Sequence, residues 1–375
     1  MRGFAFGGAG ETIFEHTRAS LRDPHFGLRL YTDPKVPGSL STVPDPSSPD
    51  ADARAAAAGG RHVFLDAAFG ERAPLVGWYD VHPTRSVHHA RGVQLNLDAA
   101  AFLLLDFKTQ SEALIDADFR IGTSLDVRPW VDGLDRLSLS IGVFHQSTHL
   151  ADEYILSAHT IQAGLPPEVN PYLPYRANPS YYAFPATVSL DLGPAAAPQF
   201  SARVYAGGSV YTHSGVPSAT HPDARVGVEL RYGALAAAPA ARPAPAEPSH
   251  FLAGAKHFGL GHGALGGDDA AAARAKHGRE LRRGRLDYLL AYEALVQREY
   301  SHDPAAPGQP VFIVGQGHWV THHAVAMLVF NLDTLRSTSN ALALSVEYLH
   351  GRNQFGQLIE YDQVDAVALG VSYYW

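Results

Sequence analysis

The chain ends in the stretch VALGVSYYW, Val367–Trp375, and this stretch decides the fold class. Its larger apolar and aromatic side chains stand at every second position, and Ala, Gly, Ser and Tyr stand between them. A period of two places successive side chains on opposite faces of an extended chain. The stretch therefore predicts a β-strand with one apolar face.

The same alternation recurs upstream, most clearly in VQLNLDAAAFLLLDF at 93–107 and again at 115–128. The pattern predicts about 12 strands from residue 91 onward, among them 154–160 and 251–258, and two weaker strands at 62–69 and 74–81. Several of these segments run to ten residues or more, whereas strands of globular proteins usually have about 5–6. A strand that crosses a membrane at a tilt needs about 9–11 residues. Strand length thus favours a transmembrane barrel.

The polar faces of the strands also favour a barrel. Charged side chains occupy one face of 115–128. Such a face is unsuited to a sandwich core but suits a barrel lumen that is held by hydrogen bonds or filled with water. The alternative is an antiparallel sandwich with one solvated face. We expect an all-β chain that forms a single antiparallel transmembrane β-barrel of about 12 strands. Its lumen cluster, which we expect to be a plug of salt bridges, comprises Asp116, Asp118, Arg120, Asp126, Arg128 and Glu229.

Composition excludes several classes of protein. The 375 residues have a net charge of -8, a mean hydropathy of -0.10 and no cysteine. An acidic chain lacks the basic stripe that nucleic acid requires, so no nucleic-acid partner is expected. Without cysteine there is no disulfide framework, zinc ribbon or thiol chemistry, and we expect neither a cofactor nor a metal site. No apolar run approaches the roughly 20 residues of a transmembrane helix.

The sequence divides into two parts. Residues 1–60 carry no sustained period and predict an irregular N-terminal segment on the periplasmic side, whereas 61–375 form the barrel. Within the barrel, 234–248 is an Ala/Pro linker and 261–285 is a loop insertion rich in Gly, then in Ala and charge. The opening MRGFAFGGAG lacks the apolar core of a secretory signal. Since the barrel argues for export, we expect that Met1 is not the natural start.

Two motifs carry a family resemblance: FHQSTHLADEYI (Phe144–Ile155) and EYLHGRNQFGQL (Glu347–Leu358). Together they resemble the HQSxHLxDE and GRxxxGQ motifs of an uncharacterised family of predicted outer-membrane proteins of Gram-negative bacteria. The resemblance covers about residues 20–375 and implies the bacterial outer membrane and a barrel fold, with no established activity. The closing aromatic strand also resembles the terminal signal by which such barrels reach the barrel-assembly machinery, here through Trp375.

The first motif contains a candidate hydrolytic site. His145 and Ser147 continue the apolar face of their strand, with Cβ atoms about 6–7 Å apart. A polar pair facing lipid is costly without a role. The arrangement resembles the outward dyad of outer-membrane phospholipase and lipid A deacylase, which implies Ser147 as nucleophile, His145 as base, and Asp152 or Glu153 as the group that orients His145. The alternative is a polar strand end at headgroup level.

Other patterns are less specific. His145 and His149 lie about 13 Å apart on a straight strand, too far to share a zinc ion. Gly351, Arg352, Gly356 and Gln357 predict a tight loop. The resulting expectation is an outer-membrane barrel, in contact with outer-membrane lipids or lipopolysaccharide, that binds or admits a lipid or small solute. A lipid hydrolase and a barrel that displays its loops are the alternatives.

Overall fold

The computed structural model describes 2–6, 13–14, 17–20, 23–33, 62–80, 91–106, 113–134, 136–150, 180–192, 200–214, 222–233, 285–302, 312–331, 341–352 and 363–374. In this part of the chain, no helix has the length and apolar character needed to cross a membrane.

Thirteen strands form one antiparallel sheet. They are β1 (Arg2–Phe6), β2 (Phe26–Asp33), β3 (His62–Asp80), β4 (Gly92–Asp106), β5 (Ala113–Arg128), β6 (Leu137–Leu150), β7 (Ser180–Asp191), β8 (Phe200–Ser214), β9 (Asp223–Gly233), β10 (Arg285–His302), β11 (Phe312–Asn331), β12 (Ala341–Arg352) and β13 (Gln363–Tyr374). Each of β3 to β13 pairs with its neighbours in sequence, and β13 pairs with β2. The twelve strands β2 to β13 therefore close a barrel, which confirms the predicted fold class.

Residues 62–80 form one strand, where the alternation predicted two. Within it, the register against β4 shifts between Pro74 and Val76. Proline cannot donate to a ladder, and bulges are among the few places where a sheet tolerates it. The predicted strands at 154–160 and 251–258 lie outside the described residues.

The barrel has two ends, which we call the C-terminal rim and the opposite rim. At the C-terminal rim β13 ends beside the start of β12, with Tyr374 paired to Ala341. The β5–β6 turn, closed by bonds such as Leu134 N–H to the Val131 carbonyl (3.1 Å), lies at the same rim. β7 ends and β8 begins at this rim as well, because successive strands alternate in direction. The opposite rim carries the ends of β6, β8, β10 and β12.

The strand alternation separates an apolar outer surface from a polar interior. Large apolar side chains are exposed on the outside, where a closed barrel presents every second residue. These include Leu28, Leu30, Leu95, Leu97, Ile121, Leu125, Ile141, Val188, Leu230, Leu290, Leu344, Val346 and Leu369. The buried inner positions are largely polar or charged, among them Gln94, Asn96, Asp116, Asp118, Asp126, Arg203, Glu229, Asp287, Glu293, His323 and Glu347.

The N-terminal region contributes to the wall and to the interior. β1 and β2 both lie along β3: Phe6 pairs with Val76, and Phe26 with Phe69. The wall of the barrel thus begins before residue 61. Between these two strands the chain turns into the barrel, and Ile13, Phe14, Thr17, Ala19, Ser20 and Asp23 are buried there. We call the described residues 13–14, 17–20 and 23–25 the lumen segment.

The lumen also contains apolar contacts. Ala19 of the lumen segment belongs to a buried cluster with inner side chains of β10, β11 and β12. A second cluster, built on Phe64, Phe102 and Leu104, lies on the inner faces of β3 and β4. These contacts fill two parts of the lumen with hydrocarbon.

Candidate functional site

Side chains of the wall hold the lumen segment by its backbone. Gln94 Oε1 accepts a hydrogen bond from the Ile13 N–H (2.7 Å), and Asp126 Oδ2 accepts one from the Phe14 N–H (3.3 Å). Asn96 donates to the same Asp126 oxygen (3.0 Å). Irregular backbone enclosed within a barrel requires such partners, because an unpaired backbone group costs several kcal/mol when it is buried.

A second anchor lies on β8, β9 and β11. Glu229 accepts the Arg18 N–H through Oε1 (2.5 Å) and forms a salt bridge with Arg203 through Oε2 (2.6 Å). His323 donates from Nδ1 to the Ala19 carbonyl (2.5 Å). The lumen segment is therefore bonded to β4, β5, β9 and β11, around most of the barrel.

The structure places the predicted lumen cluster on the inner face. Asp116, Asp118, Asp126, Arg128 and Glu229 are buried, and Arg120 is half-buried. The six residues do not form one site. Arg128 pairs with Asp191 at the C-terminal rim (3.0 Å), whereas Arg120 donates to Gln146 (3.1 Å) and lies over the Phe144 ring (4.0 Å) farther along the barrel.

A cavity of about 140 Å³ lies between the lumen segment and the wall. The lumen segment lines it with Phe14, Ser20, Asp23 and Pro24. On the wall it extends to Gln146, Tyr181 and Tyr211, close to the opposite rim. The charged residues that line it are Arg72, Arg120, Arg225, Asp23, Asp98, Asp223 and Glu293, with His323 beside them.

These charges differ in how they are balanced. Arg72 and Asp98 form a salt bridge (2.6 Å). Both Asp223 oxygens are occupied, one by the Ser209 N–H (2.8 Å) and the other by the Tyr211 hydroxyl. Ion pairs and hydrogen bonds of this kind are what buried charges require. Arg225 and Glu293, by contrast, have hydrogen-bonding capacity that no described residue uses.

Arg225 is held by neutral groups. Its Nη1 donates to the Ser20 hydroxyl (3.1 Å) and its Nη2 to the Thr187 hydroxyl (2.9 Å). No residue in the described ranges forms an ion pair with it. A guanidinium has five N–H donors, so two bonds leave donors for another group.

Glu293 is held by one neutral group. The Tyr205 hydroxyl donates to Glu293 Oε2 (3.0 Å), and no ion pair involves Glu293 in the described part of the barrel. Tyr205 can take this position because it faces Gly227, where a Cβ would collide with the phenol ring and hydroxyl. The backbone glycine thus directs a hydroxyl to the carboxylate.

The predicted dyad lies on the outer surface. His145 and Ser147 share the face of Ile141 and Val143, both exposed. No hydrogen bond joins His145 to Ser147 among the described residues. Instead, His145 Nε2 and the Ser180 hydroxyl of β7 share a hydrogen bond at 3.4 Å.

Two further observations concern this histidine. Its ring packs against Tyr182, with centroids 4.9 Å apart, and its Nδ1 is buried without a hydrogen-bond partner in the described part of the chain. Asp152 and Glu153, predicted to orient it, lie outside the described residues. Ser180, which is the Cα partner of Ser147, was not singled out from the sequence because no spacing rule links residues of separate strands.

The second motif is only partly described. Gly351, near the end of β12, has φ +137°, and a Cβ there would lie 2.5 Å from Thr321 Cα on β11. Glycine is therefore required both by backbone conformation and by the close approach of two strands. Arg352 ends β12, whereas Gly356 and Gln357 lie outside the described residues.

Within the described ranges, no three or more His, Cys, Asp or Glu side chains are grouped so as to hold a metal ion.

A closed antiparallel barrel with long strands, an apolar outer face and a polar interior defines the class of outer-membrane β-barrels. Within it, the chain belongs to the family described as protein of unknown function (DUF1207), whose profile matches residues 60–247. No curated protein sequence matches the chain.

Three solved structures align with most of the chain at low sequence identity. The Salmonella typhi outer membrane phospholipase (OMPLA) dimer with bound calcium is 9% identical, with a TM-score of 0.39 over 96% of this chain and 94% of that one. LpxR from Salmonella typhimurium is 11% identical, with a TM-score of 0.37 over 93% of this chain and 100% of that one. The β domain of the Bordetella autotransporter BrkA is 8% identical, with a TM-score of 0.35 over 94% of this chain and 98% of that one.

Proposed function

We propose that this protein lies in the bacterial outer membrane and binds a small polar solute in its lumen, or admits it there. The apolar outer face supports a lipid environment, since so much exposed hydrocarbon is unfavourable in water. A row of outward aromatic side chains gives further support, because such girdles mark membrane interfaces. It contains Tyr292, His322, Tyr348 and His350, whose neighbouring rings are 6.1 to 6.4 Å apart.

The observation that carries the solute proposal is the cavity beside the lumen segment. An engineered protein cavity of about 150 Å³ accommodates benzene, so 140 Å³ suits a solute of about six to eight non-hydrogen atoms. The charged lining favours a polar solute over a lipid chain, because a buried charge needs a polar partner.

Proteoliposomes containing the full chain test this proposal. We expect them to take up small polar solutes, and we expect Gly142→Gln, which places a side chain in the cavity, to reduce uptake several-fold by occupying the volume. Ile141→Val, one residue away on the exposed outer face, is the matched control. If no small solute is bound by the purified protein or admitted by the vesicles, the solute function is excluded.

A second candidate is an acyl-ester hydrolase of outer-membrane lipids or lipopolysaccharide. One observation favours it: His145 and the hydroxyls of Ser147 and Ser180 lie together on the outer face, with His145 bonded to Ser180. A histidine beside a serine hydroxyl can act as the base that activates it. The His145 Nδ1, however, has no orienting acid among the described residues.

Acyl release from phospholipid and lipid A by the purified protein tests the hydrolase. We expect His145→Ala to abolish release and either Ser147→Ala or Ser180→Ala to do the same, which identifies the nucleophile. Release that is unchanged in all three variants would reject this candidate.

We also propose that the chain reaches the membrane through the barrel-assembly machinery, using the closing strand and Trp375. β13 ends at Tyr374 and its outward face carries Val367, Leu369 and Val371. Trp375→Ala should lower the amount of assembled barrel in cells, whereas the stability of the refolded protein should change little. An unaltered amount in the outer membrane would contradict the proposal.

A further inference from the structure

The charges of the cavity constrain the class of solute, provided that the lumen binds one as proposed above. Three arginines and four carboxylates line it: Arg72, Arg120 and Arg225 against Asp23, Asp98, Asp223 and Glu293. An anion would meet the carboxylates, and a cation would meet the guanidinium groups. A solute carrying one charge of each sign can meet both.

Arg225 and Glu293 stand side by side on the inner face. Glu293 of β10 pairs in register with Gly227 of β9, and Arg225 is two residues from Gly227 on the same inner face. Diagonal neighbours across an antiparallel pair are about 7–8 Å apart. Although they are neighbours, no ion pair at 4.0 Å or less joins them in the described part of the barrel. Each remains able to contact a solute between or beside them.

Local packing keeps these charges apart. Tyr205, placed over Gly227, holds Glu293 through Oε2, and Ser20 and Thr187 hold Arg225. Glu293 is 6% exposed, and its Oε1 takes no hydrogen bond from any described residue. An ammonium N–H is a suitable donor for that oxygen, and a carboxylate is a suitable acceptor for the free donors of Arg225.

The same two strands contain a contrasting pair. Six residues farther along each strand, Arg231 and Asp287 form a salt bridge of 2.5 Å on the inner face. Neither residue lines the cavity. Adjacent positions on β9 and β10 can therefore pair directly, and the separation of Arg225 from Glu293 follows from Tyr205, Ser20 and Thr187 rather than from the spacing of the strands.

We infer that the lumen binds a small zwitterion with a primary ammonium group and a carboxylate, such as a short amino acid. Arg225 receives the carboxylate and Glu293 receives the ammonium group. A cavity of 140 Å³ limits the solute to about six to eight non-hydrogen atoms, which includes alanine and serine.

Calorimetric titration of the full chain in detergent micelles tests this inference. The probes are L-alanine, propionate (which lacks the ammonium) and ethylamine (which lacks the carboxylate). We expect alanine to bind about tenfold or more tightly than either analogue, because each analogue lacks one of the two charge-assisted contacts. Trimethylated glycine, which stays within the same size limit but whose nitrogen has no N–H, should bind no better than propionate.

Variants assign the two contacts. Arg225→Gln should lose the affinity for both alanine and propionate. Glu293→Gln should lower the affinity for alanine to that for propionate, and it should leave the affinity for propionate unchanged or raise it. Arg231→Gln and Asp287→Asn are the matched controls and should not change either affinity. The comparison of probes on the unmodified protein needs no variant, so a variant that fails to fold does not prevent the test.

The outcomes separate this inference from the function on which it rests. If propionate, ethylamine or an uncharged solute binds as tightly as alanine, the zwitterion is excluded while a solute-binding lumen remains. If no small solute binds and none enters proteoliposomes, both are excluded.

Discussion

At the scale of single residues, Gly351 is a position where both backbone conformation and space require glycine. Gly351→Ala forces a Cβ into φ +137° and against Thr321 of the next strand. We expect a loss of about 1–3 kcal/mol in the free energy of unfolding, because only glycine occupies such backbone without strain. Urea unfolding of the refolded barrel, followed by tryptophan fluorescence, measures it.

Gly133 provides the control for this prediction. It also has a positive φ (+86°), but a Cβ there would meet nothing within 4 Å. Gly133→Ala therefore adds backbone strain without a steric collision, and we expect a smaller loss than at Gly351. Equal losses would show that the contact with Thr321 does not contribute.

His25 should make the free energy of unfolding depend on pH. Burial, followed by the positive charge of Arg29, lowers the pKa of His25 below its usual 6.5, although the charges of Asp66 and Glu347 oppose this. In the unfolded chain the ring takes up a proton near pH 6.5, whereas the folded protein takes it up only at lower pH. Stability contributed by the neutral ring is thus lost as pH falls through this window.

The measurement is the free energy of unfolding at about pH 7 and about pH 5.5, on either side of the usual histidine pKa. We expect His25→Gln to lose less stability between these two values than the unmodified protein does. His350→Gln, on the outer face with a side chain 53% exposed, is the control. Identical changes in all three proteins would mean that His25 is not desolvated.

The site could be predicted only in part at this scale. Alternation identified which residues of a strand share a face, and Arg225 and Glu293 both stood at inner positions of that pattern. The pattern could not show that these two lie side by side, because register across strands depends on where each strand begins. The hydrogen bond between His145 and Ser180 could not be predicted for the same reason, since 34 residues separate them in the chain.

At the scale of elements, the lumen segment lines the cavity on which the proposed function rests. The chain has no cysteine, so a single introduced thiol reports on accessibility. Ser20→Cys, at a buried position, should react slowly with a hydrophilic maleimide in the folded barrel and rapidly in urea. Mass spectrometry of the labelled protein gives the rate.

The anchors of the lumen segment should control that rate. Adding Gln94→Leu to Ser20→Cys removes the acceptor of the Ile13 N–H, and we expect faster labelling because a buried donor left unpaired costs about 1–3 kcal/mol. Asp132→Cys, in the exposed β5–β6 turn, should react rapidly in both backgrounds. No difference between the two backgrounds at Ser20 would show that Gln94 is not an anchor.

The elements themselves were largely predictable, with two exceptions. Long runs of period two gave β4, β5 and the closing strand, because one face of each meets hydrocarbon and the other a polar lumen. β3 was predicted as two strands, whereas the structure has one strand with a register shift at Pro74. The lumen segment was not foreseen, since a short irregular stretch held by its backbone amides carries no side-chain pattern.

At the scale of the whole molecule, the apolar band gives a test of the membrane location. Leu369 is 64% exposed on the outer face, two residues from Val367 and Val371. In phospholipid vesicles, Leu369→Arg should reduce the free energy of unfolding by about 2–4 kcal/mol if the site lies near the bilayer midplane. Val131→Arg, 56% exposed in the β5–β6 turn, should change it by less than about 0.5 kcal/mol. Similar small effects at both positions would argue that the outer face does not meet lipid.

The lumen segment lies between two strands, β1 and β2, that both belong to the wall of the barrel. Because β1 and β2 are both built into the wall, the lumen segment is fixed on both sides along the chain. It cannot leave by sliding out, as a terminal plug could. A path for the proposed solute would therefore open only by rearrangement of the lumen segment within the barrel.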